Sequence, residues 1–133
     1  MKPGPPVDVD PRTVAASYLA SFASGDPEAV AAHVSEDFSN VHTSALGSPS
    51  QGRPEYLQRL GEFLTTFSGL TYEAEEILAE GDRAVAAYVL RARVDGTPIE
   101  IRGVMRLAVR DGLIESRTDY FDSLTFLQQT GQA

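Results

Sequence analysis

The stretch RDGLIESRTDYFD near the C-terminus sets Arg117 two residues before Asp119. Strand alternation puts Glu115, Arg117, Asp119 and Phe121 on one side, and Ser116, Thr118, Tyr120 and Asp122 on the other. A carboxyl facing an apolar enclosure has its pKa raised, which suits proton transfer near neutrality. A guanidinium on the same face can hold that carboxyl ionised or bind an anionic oxygen of a ligand. The plainer alternative is a strand-end ion pair of little energetic weight. His42 carries an imidazole whose ordinary pKa lies near 6.5 and can move a proton; otherwise it is a loop histidine with a solvent or backbone partner. The Tyr18 phenol can donate to a carbonyl or enolate oxygen, or it simply belongs to a buried aromatic stripe. His33, one residue before Val34, reads as structural. Arg91, Arg93, Arg102 and Arg106 alternate in neighbouring runs and read as a solvated face cross-paired with Glu73, Glu75 and Glu100. The alternative is an anion-recognising wall.

Several chemistries are excluded outright. There is no cysteine, so thiolate nucleophiles, disulfides and cysteine metal sites are absent. The two histidines stand apart with no HxH or HExxH spacing, so no metal is expected. No glycine-rich loop has phosphate-cradle spacing, and no Gly-x-Ser-x-Gly elbow exists. Any chemistry is therefore expected to need no cofactor.

These groups must be held by elements that the sequence punctuates clearly. Residues 1–9 are proline-rich without periodicity and read as a loose arm, leaving 10–133 as one domain. Asp10-Pro11 is a helix start, cap oxygen followed by proline, and Val14, Tyr18, Leu19 and Phe22 recur at helical spacing. Gly25 stops that helix. Asp26-Pro27 starts a second, with Val30, Val34 and Phe38 as its buried face. Residues 39–53 hold four serines, two glycines, a proline and an asparagine, and read as a loop with at most a short strand near Val41. Pro54 opens a third helix whose apolar side carries Tyr56, Leu57, Leu60, Phe63, Leu64 and Phe67; Ser68-Gly69 ends it. Four β-rich runs follow, 71–79, 83–94, 97–110 and 113–122, separated by Gly81-Asp82, Asp95-Gly96 and Asp111-Gly112. Asp-Gly between such runs signals a tight hairpin, so an antiparallel meander is expected. The tail reads as a short helix or an irregular cap. Three helices followed by long strands make an α+β layer, and a bent sheet with helices on its concave side leaves a conical cavity.

Composition narrows the partners. The chain has 133 residues, a one-domain length, with 42% hydrophobic residues and a formal net charge of −8. Ten arginines and one lysine against nineteen acids leave no basic face for nucleic acid. No apolar run approaches the roughly 20 residues that cross a bilayer, and the first residues do not read as a signal peptide. No nucleic-acid or membrane partner is expected, and the cytoplasm is the expected compartment.

The order of elements and three motifs resemble the NTF2-like superfamily, and within it the SnoaL-like, ketosteroid-isomerase-like and limonene-epoxide-hydrolase proteins. The motifs are YLASFASGDPEAVAAHVSEDF, SALGSPSQGRPEYLQRL and RDGLIESRTDYFD, and the resemblance spans residues 12–130. It implies a cone-shaped fold with three N-terminal helices on a curved antiparallel sheet, and a homodimer formed through the exposed sheet face. It also implies that Asp119 points into the cavity as general acid or base. Counting seventeen residues on from Gly25, where the isomerases have their base, lands on His42; Tyr18, seven before Gly25, matches their oxyanion-hole tyrosine. Arg117, Phe63, Met105 and Phe121 are the expected substrate-binding residues. The sequence departs from the pattern twice. The isomerases' second oxyanion acid would fall near Gly103, where Val104 and Met105 offer no carboxyl, and Arg91-Ala92-Arg93 stands where an epoxide hydrolase would place arginine-x-aspartate. The implied function is cofactor-free acid–base chemistry, of isomerase, cyclase or epoxide-hydrolase type, on an apolar polyketide-, terpenoid- or steroid-like compound. The alternative is a non-catalytic ligand-binding or dimerisation module of the same fold.

Overall fold

In a computed structural model, residues 10–43 and 49–132 are described. The proposed arm, residues 1–9, and the centre of the serine-rich loop lie outside them. Helix α1 (Pro11–Ser21) begins as its sequence dictates. The Asp10 carboxylate accepts from the Thr13 amide at 2.7 Å, and proline fills the first turn. Its buried stripe is Val14, Ala15, Tyr18 and Leu19. A short 3-10 turn, Phe22–Ser24, follows and ends at Gly25, whose φ of +69° suits a residue without a Cβ. Helix α2 (Pro27–Ala31) is capped by Asp26 in the same manner as α1.

The second helix departs from expectation. It stops at Ala31, and Val34–His42 is strand β1. Val34 and Phe38 are both fully buried, but on a strand rather than on a helix face. A spacing of four residues keeps side chains on one face at either period, so these positions do not discriminate. Pairing with the last strand decides: the Ile114 amide donates to the His33 carbonyl at 2.8 Å, and the ladder continues to His42. Strand β2 (Ser50–Gln51) pairs antiparallel with β1. Helix α3 (Arg53–Thr66) is tied to the end of α2 by the Arg53 Nε–H donating to the Ala31 carbonyl at 3.0 Å.

Strands β3 (Ser68–Glu80), β4 (Arg83–Val94), β5 (Thr97–Arg110) and β6 (Leu113–Phe121) form the expected meander. Both Asp-Gly corners have positive φ at each central residue, 51° and 79° at Asp95-Gly96 and 54° and 78° at Asp111-Gly112. That is the geometry of type I′ turns, whose twist matches the strands they join. The complete sheet has six strands in the order β2-β1-β6-β5-β4-β3. It is open and curved, and the β1–β6 pairing is parallel rather than antiparallel. Helix α4 (Ser123–Gln129), capped by Asp122, closes the chain against β5. Helix α1 packs across β3, β4 and β5, while α3 packs against β1, β2 and β3. The core therefore lies between the helices and one face of the sheet, as the α+β reading requires.

Candidate active site

Two strands place the polar groups. β1 and β6 run parallel with Asn40 opposite Arg117 and His42 opposite Asp119. Alternation turns all four side chains to the concave side, where they meet a cavity of about 470 Å³. A bulge in β6 between Ile114 and Ser116 resets the alternation. Ile114 rather than Glu115 therefore takes the buried side, and Glu115 pairs outside with Arg110 at 3.5 Å. Aromatic side chains make much of the remaining wall, among them Phe22, Phe63, Phe67, Phe121 and Phe126.

Arg117 is the hub. It is 4% exposed, and its Nη2 donates to Asp119 Oδ2 at 2.7 Å. Its Nη1 donates to the Tyr18 hydroxyl at 2.7 Å, and Nη2 also reaches the Tyr72 hydroxyl at 3.5 Å. Burial disfavours a guanidinium's charge, but the oxygens of Tyr18 and Asp119 outweigh it and hold the group charged well above its ordinary pKa. Asp119, 2% exposed, accepts on its other oxygen from the Tyr88 hydroxyl at 2.7 Å. Its surroundings are therefore not the purely apolar wall expected from sequence: both carboxylate oxygens accept, one of them from a cation.

His42 comes to 4.0 Å from Asp119 Oδ2 through Nδ1, beyond direct hydrogen-bond reach but within the span of one bridging water. Burial pulls its pKa down to about 4, the Arg117 charge adds to the effect, and the Asp119 carboxylate opposes it. The imidazole is thus neutral at pH 7, with one ring nitrogen donating and the other accepting. Tyr56, Tyr72 and Tyr88 have pKa values pushed above the ordinary phenol range, burial being the main cause in each. They are neutral hydroxyls throughout the physiological range.

The sequence candidates separate accordingly. Asp119, His42, Arg117, Phe121 and Phe63 line one cavity. Tyr18 does not: its hydroxyl is bonded to Arg117 and to the Tyr56 hydroxyl, so it stands behind the guanidinium. Met105 is fully enclosed in the core opposite Asp119 on β5 and is not part of the cavity wall. His33 takes a structural place, with Nε2 2.8 Å from the Ser17 hydroxyl and Nδ1 3.1 Å from the Ala29 carbonyl. The exposed arginines are paired outside: Arg91 with Glu73 at 2.6 Å and Glu100 at 3.0 Å, and Arg102 with Glu75 at 3.7 Å.

Four polar residues at the site are not singled out by the sequence: Asn40 falls inside the stretch read as loop, Tyr56 reads as part of a helix's apolar side, and Tyr72 and Tyr88 lie unmarked within β-rich runs. Tyr88 left one readable sign, its cross-strand neighbour Gly103. A Cβ at Gly103 would stand 2.5 Å from the Tyr88 ring carbon that bears the hydroxyl and 2.7 Å from the Tyr120 carbonyl oxygen. The glycine leaves the tyrosine room to lie across the strand and reach Asp119. No group of histidine, aspartate and glutamate side chains among the described residues could hold a metal ion. Nor, among them, is any helix long and apolar enough to cross a membrane.

An open, curved sheet under helices, a buried arginine–aspartate pair and an aromatic cavity in front of it define a small-molecule pocket fold. The chain belongs to the SnoaL-like domain family of the NTF2-like superfamily, whose model matches residues 15–117. No curated protein matches the sequence. Solved structures that resemble it include a hypothetical protein of ketosteroid isomerase-like fold from Catenulispora acidiphila, in complex with trimethylamine. It has a TM-score of 0.83 at 20% identity, over 90% of this chain and 93% of that one. A putative isomerase from Bacillus subtilis gives 0.78 at 17% identity, over 90% and 91%. A putative polyketide cyclase from Bacillus cereus gives 0.74 at 22% identity, over 90% and 79%. At these identities the likeness establishes the fold.

Proposed function

We propose that this protein is a cofactor-free acid–base enzyme acting on an apolar ring compound of polyketide, terpenoid or steroid type. Its reaction would be an isomerisation, cyclisation or epoxide opening. The observation that carries this reading is the convergence of Asp119, His42 and Arg117 on one aromatic cavity, although 75 residues separate Arg117 from His42 in the chain. Asp119 is the proton acceptor. Arg117 and Tyr88 fix its orientation, and the Arg117 charge stabilises the carboxylate between turnovers. His42, neutral, offers a second acceptor within one water of Asp119. Tyr18 acts through Arg117 as a positioning residue rather than as an oxyanion donor. The apolar walls supply most of the affinity and exclude water.

A non-catalytic binding module is the competing reading, and one observation favours it: both Asp119 oxygens already accept hydrogen bonds. The test is Asp119→Asn, assayed on any hit from a screen of polyketide, epoxide and ketone candidates. Loss of a general acid–base group lowers the rate about 10²–10⁴-fold, while ligand affinity changes far less. A hit whose rate is unchanged by Asp119→Asn would remove this role, and a ligand bound without turnover by the wild type would support the module. Asp119→Asn leaves the buried Arg117 charge facing a neutral amide, so it is also expected to lower stability by a few kcal/mol, about the cost of breaking a buried pair. The assay therefore belongs at a temperature where the variant is shown to be folded.

A further inference from the structure

Asn40 is 5% exposed, lines the cavity, and its Oδ1 is buried without a hydrogen-bond partner among the described residues. Buried amide oxygens are nearly always satisfied, and an unpaired one costs about 1–3 kcal/mol. Directly across the parallel ladder, Arg117 has the complementary fault: its Nε–H is buried and unpartnered. A third such atom, Nδ1 of His42, lies two residues along β1 from Asn40. The three orphans are an acceptor, a donor and an imidazole nitrogen, on side chains that line the same cavity.

One group satisfies the first two together. A hydroxyl donates its hydrogen to an amide oxygen and accepts from a guanidinium N–H at the same oxygen. A carbonyl would satisfy Arg117 and leave Asn40 unpaired. An ammonium would satisfy Asn40 but meet the Arg117 charge. A methyl group would satisfy neither. Resting on the pocket reading above, we infer that Asn40 is the residue that selects the ligand, by binding a hydroxyl group that bridges its Oδ1 to Arg117 Nε. The substrate class narrows accordingly: an apolar ring compound carrying a free alcohol, enol or phenol hydroxyl at the end that meets β1 and β6. His42 stands beside that position, two residues along β1.

The probes are 2-naphthol and 2-methylnaphthalene, two fused rings that differ in one hydroxyl-for-methyl exchange. Their dissociation constants are measured by fluorescence titration against the wild type and Asn40→Leu, which keeps the branching of the side chain and removes its polar atoms. The wild type is expected to bind 2-naphthol more tightly. Asn40→Leu should weaken 2-naphthol about 2- to 13-fold, the range for one neutral hydrogen bond, and leave 2-methylnaphthalene unchanged or tighter. Asn40→Thr, which keeps a hydroxyl oxygen as acceptor, should recover part of the loss. If Asn40→Leu fails to fold, Asn40→Thr and Asn40→Ala carry the same comparison. A merely structural role would shift both probes equally, and that result overturns the inference while sparing the pocket. So would a wild type that does not distinguish the two probes, as expected if a resident water satisfies the bracket permanently. Binding of neither probe overturns the inference together with the pocket reading.

Discussion

His42 allows a thermodynamic test of the site that needs no substrate. Its folded pKa of about 4 lies below the value of 6.5 for a free histidine, because the ring is largely buried and faces Arg117. A depressed folded value means that the unfolded chain takes up the proton first as pH falls. Stability from the neutral ring is therefore complete above about pH 6.5 and is lost as pH falls through 4. At about 1.4 kcal/mol per pH unit, the gap between the two values sets a ceiling of about 3 kcal/mol. The side chain keeps 16% exposure, so solvent screening lowers this to about 2 kcal/mol. Set against a typical total of about 5–15 kcal/mol, such a loss is easily read. Urea unfolding of the wild type and of His42→Gln at pH 7.5, 6.0 and 4.5 isolates it, since the groups remote from residue 42 titrate alike in both and cancel. The wild type is expected to lose about 2 kcal/mol relative to the variant between pH 7.5 and 4.5. A pH-independent difference would refute the burial argument. The opposite slope would show that Asp119, 4.0 Å away, dominates and holds the imidazole charged.

Gly103→Ala forces a Cβ against Tyr88 and the Tyr120 carbonyl and should cost about 1–3 kcal/mol as overpacking; chemical denaturation checks it, and an unchanged midpoint contradicts the close approach. Val104 and Tyr120, opposite one another on β5 and β6, are exposed on the outer face of the sheet, and an isologous homodimer through that face is expected. Light scattering at micromolar concentration should then report twice the chain mass, and a monomer mass alone would refute it.

What the sequence shows of this fold is mostly its corners. Asp10-Pro11, Asp26-Pro27, Asp95-Gly96 and Asp111-Gly112 each act within three or four residues of themselves, through a cap bond or a positive φ, so local reading suffices. Strand β1 was hidden because Val34 and Phe38 sit four apart, a spacing that suits a helix face and a strand face equally. Its pairing partner lies about 80 residues downstream, where no local signal reaches. The cavity positions of Asp119 and His42 are legible, the first from the closing motif and the second from a seventeen-residue count from Gly25. The place of Tyr18 behind Arg117 was not, because it depends on a contact across 99 residues. Met105 alternates correctly to the inner face of β5, yet a face of the sheet is wider than the cavity set into it.

The arginine–aspartate pair itself argues that the cavity is more than a packing fault. Burying a guanidinium and a carboxylate costs several kcal/mol each before their attraction returns any of it, and apolar replacements of similar volume are often as stable. Here the arrangement is elaborate: Tyr18 and Tyr72 meet the guanidinium, Tyr88 meets the carboxylate, and Gly103 clears the approach. Beside it, Asn40 Oδ1, His42 Nδ1 and Arg117 Nε are buried without a hydrogen-bond partner among the described residues. The parallel β1–β6 ladder sets Asn40 beside Arg117 and His42 beside Asp119. On the proposed reading, Asn40, His42, Arg117 and Asp119 would set the chemical identity of the ligand, and the aromatic wall its size.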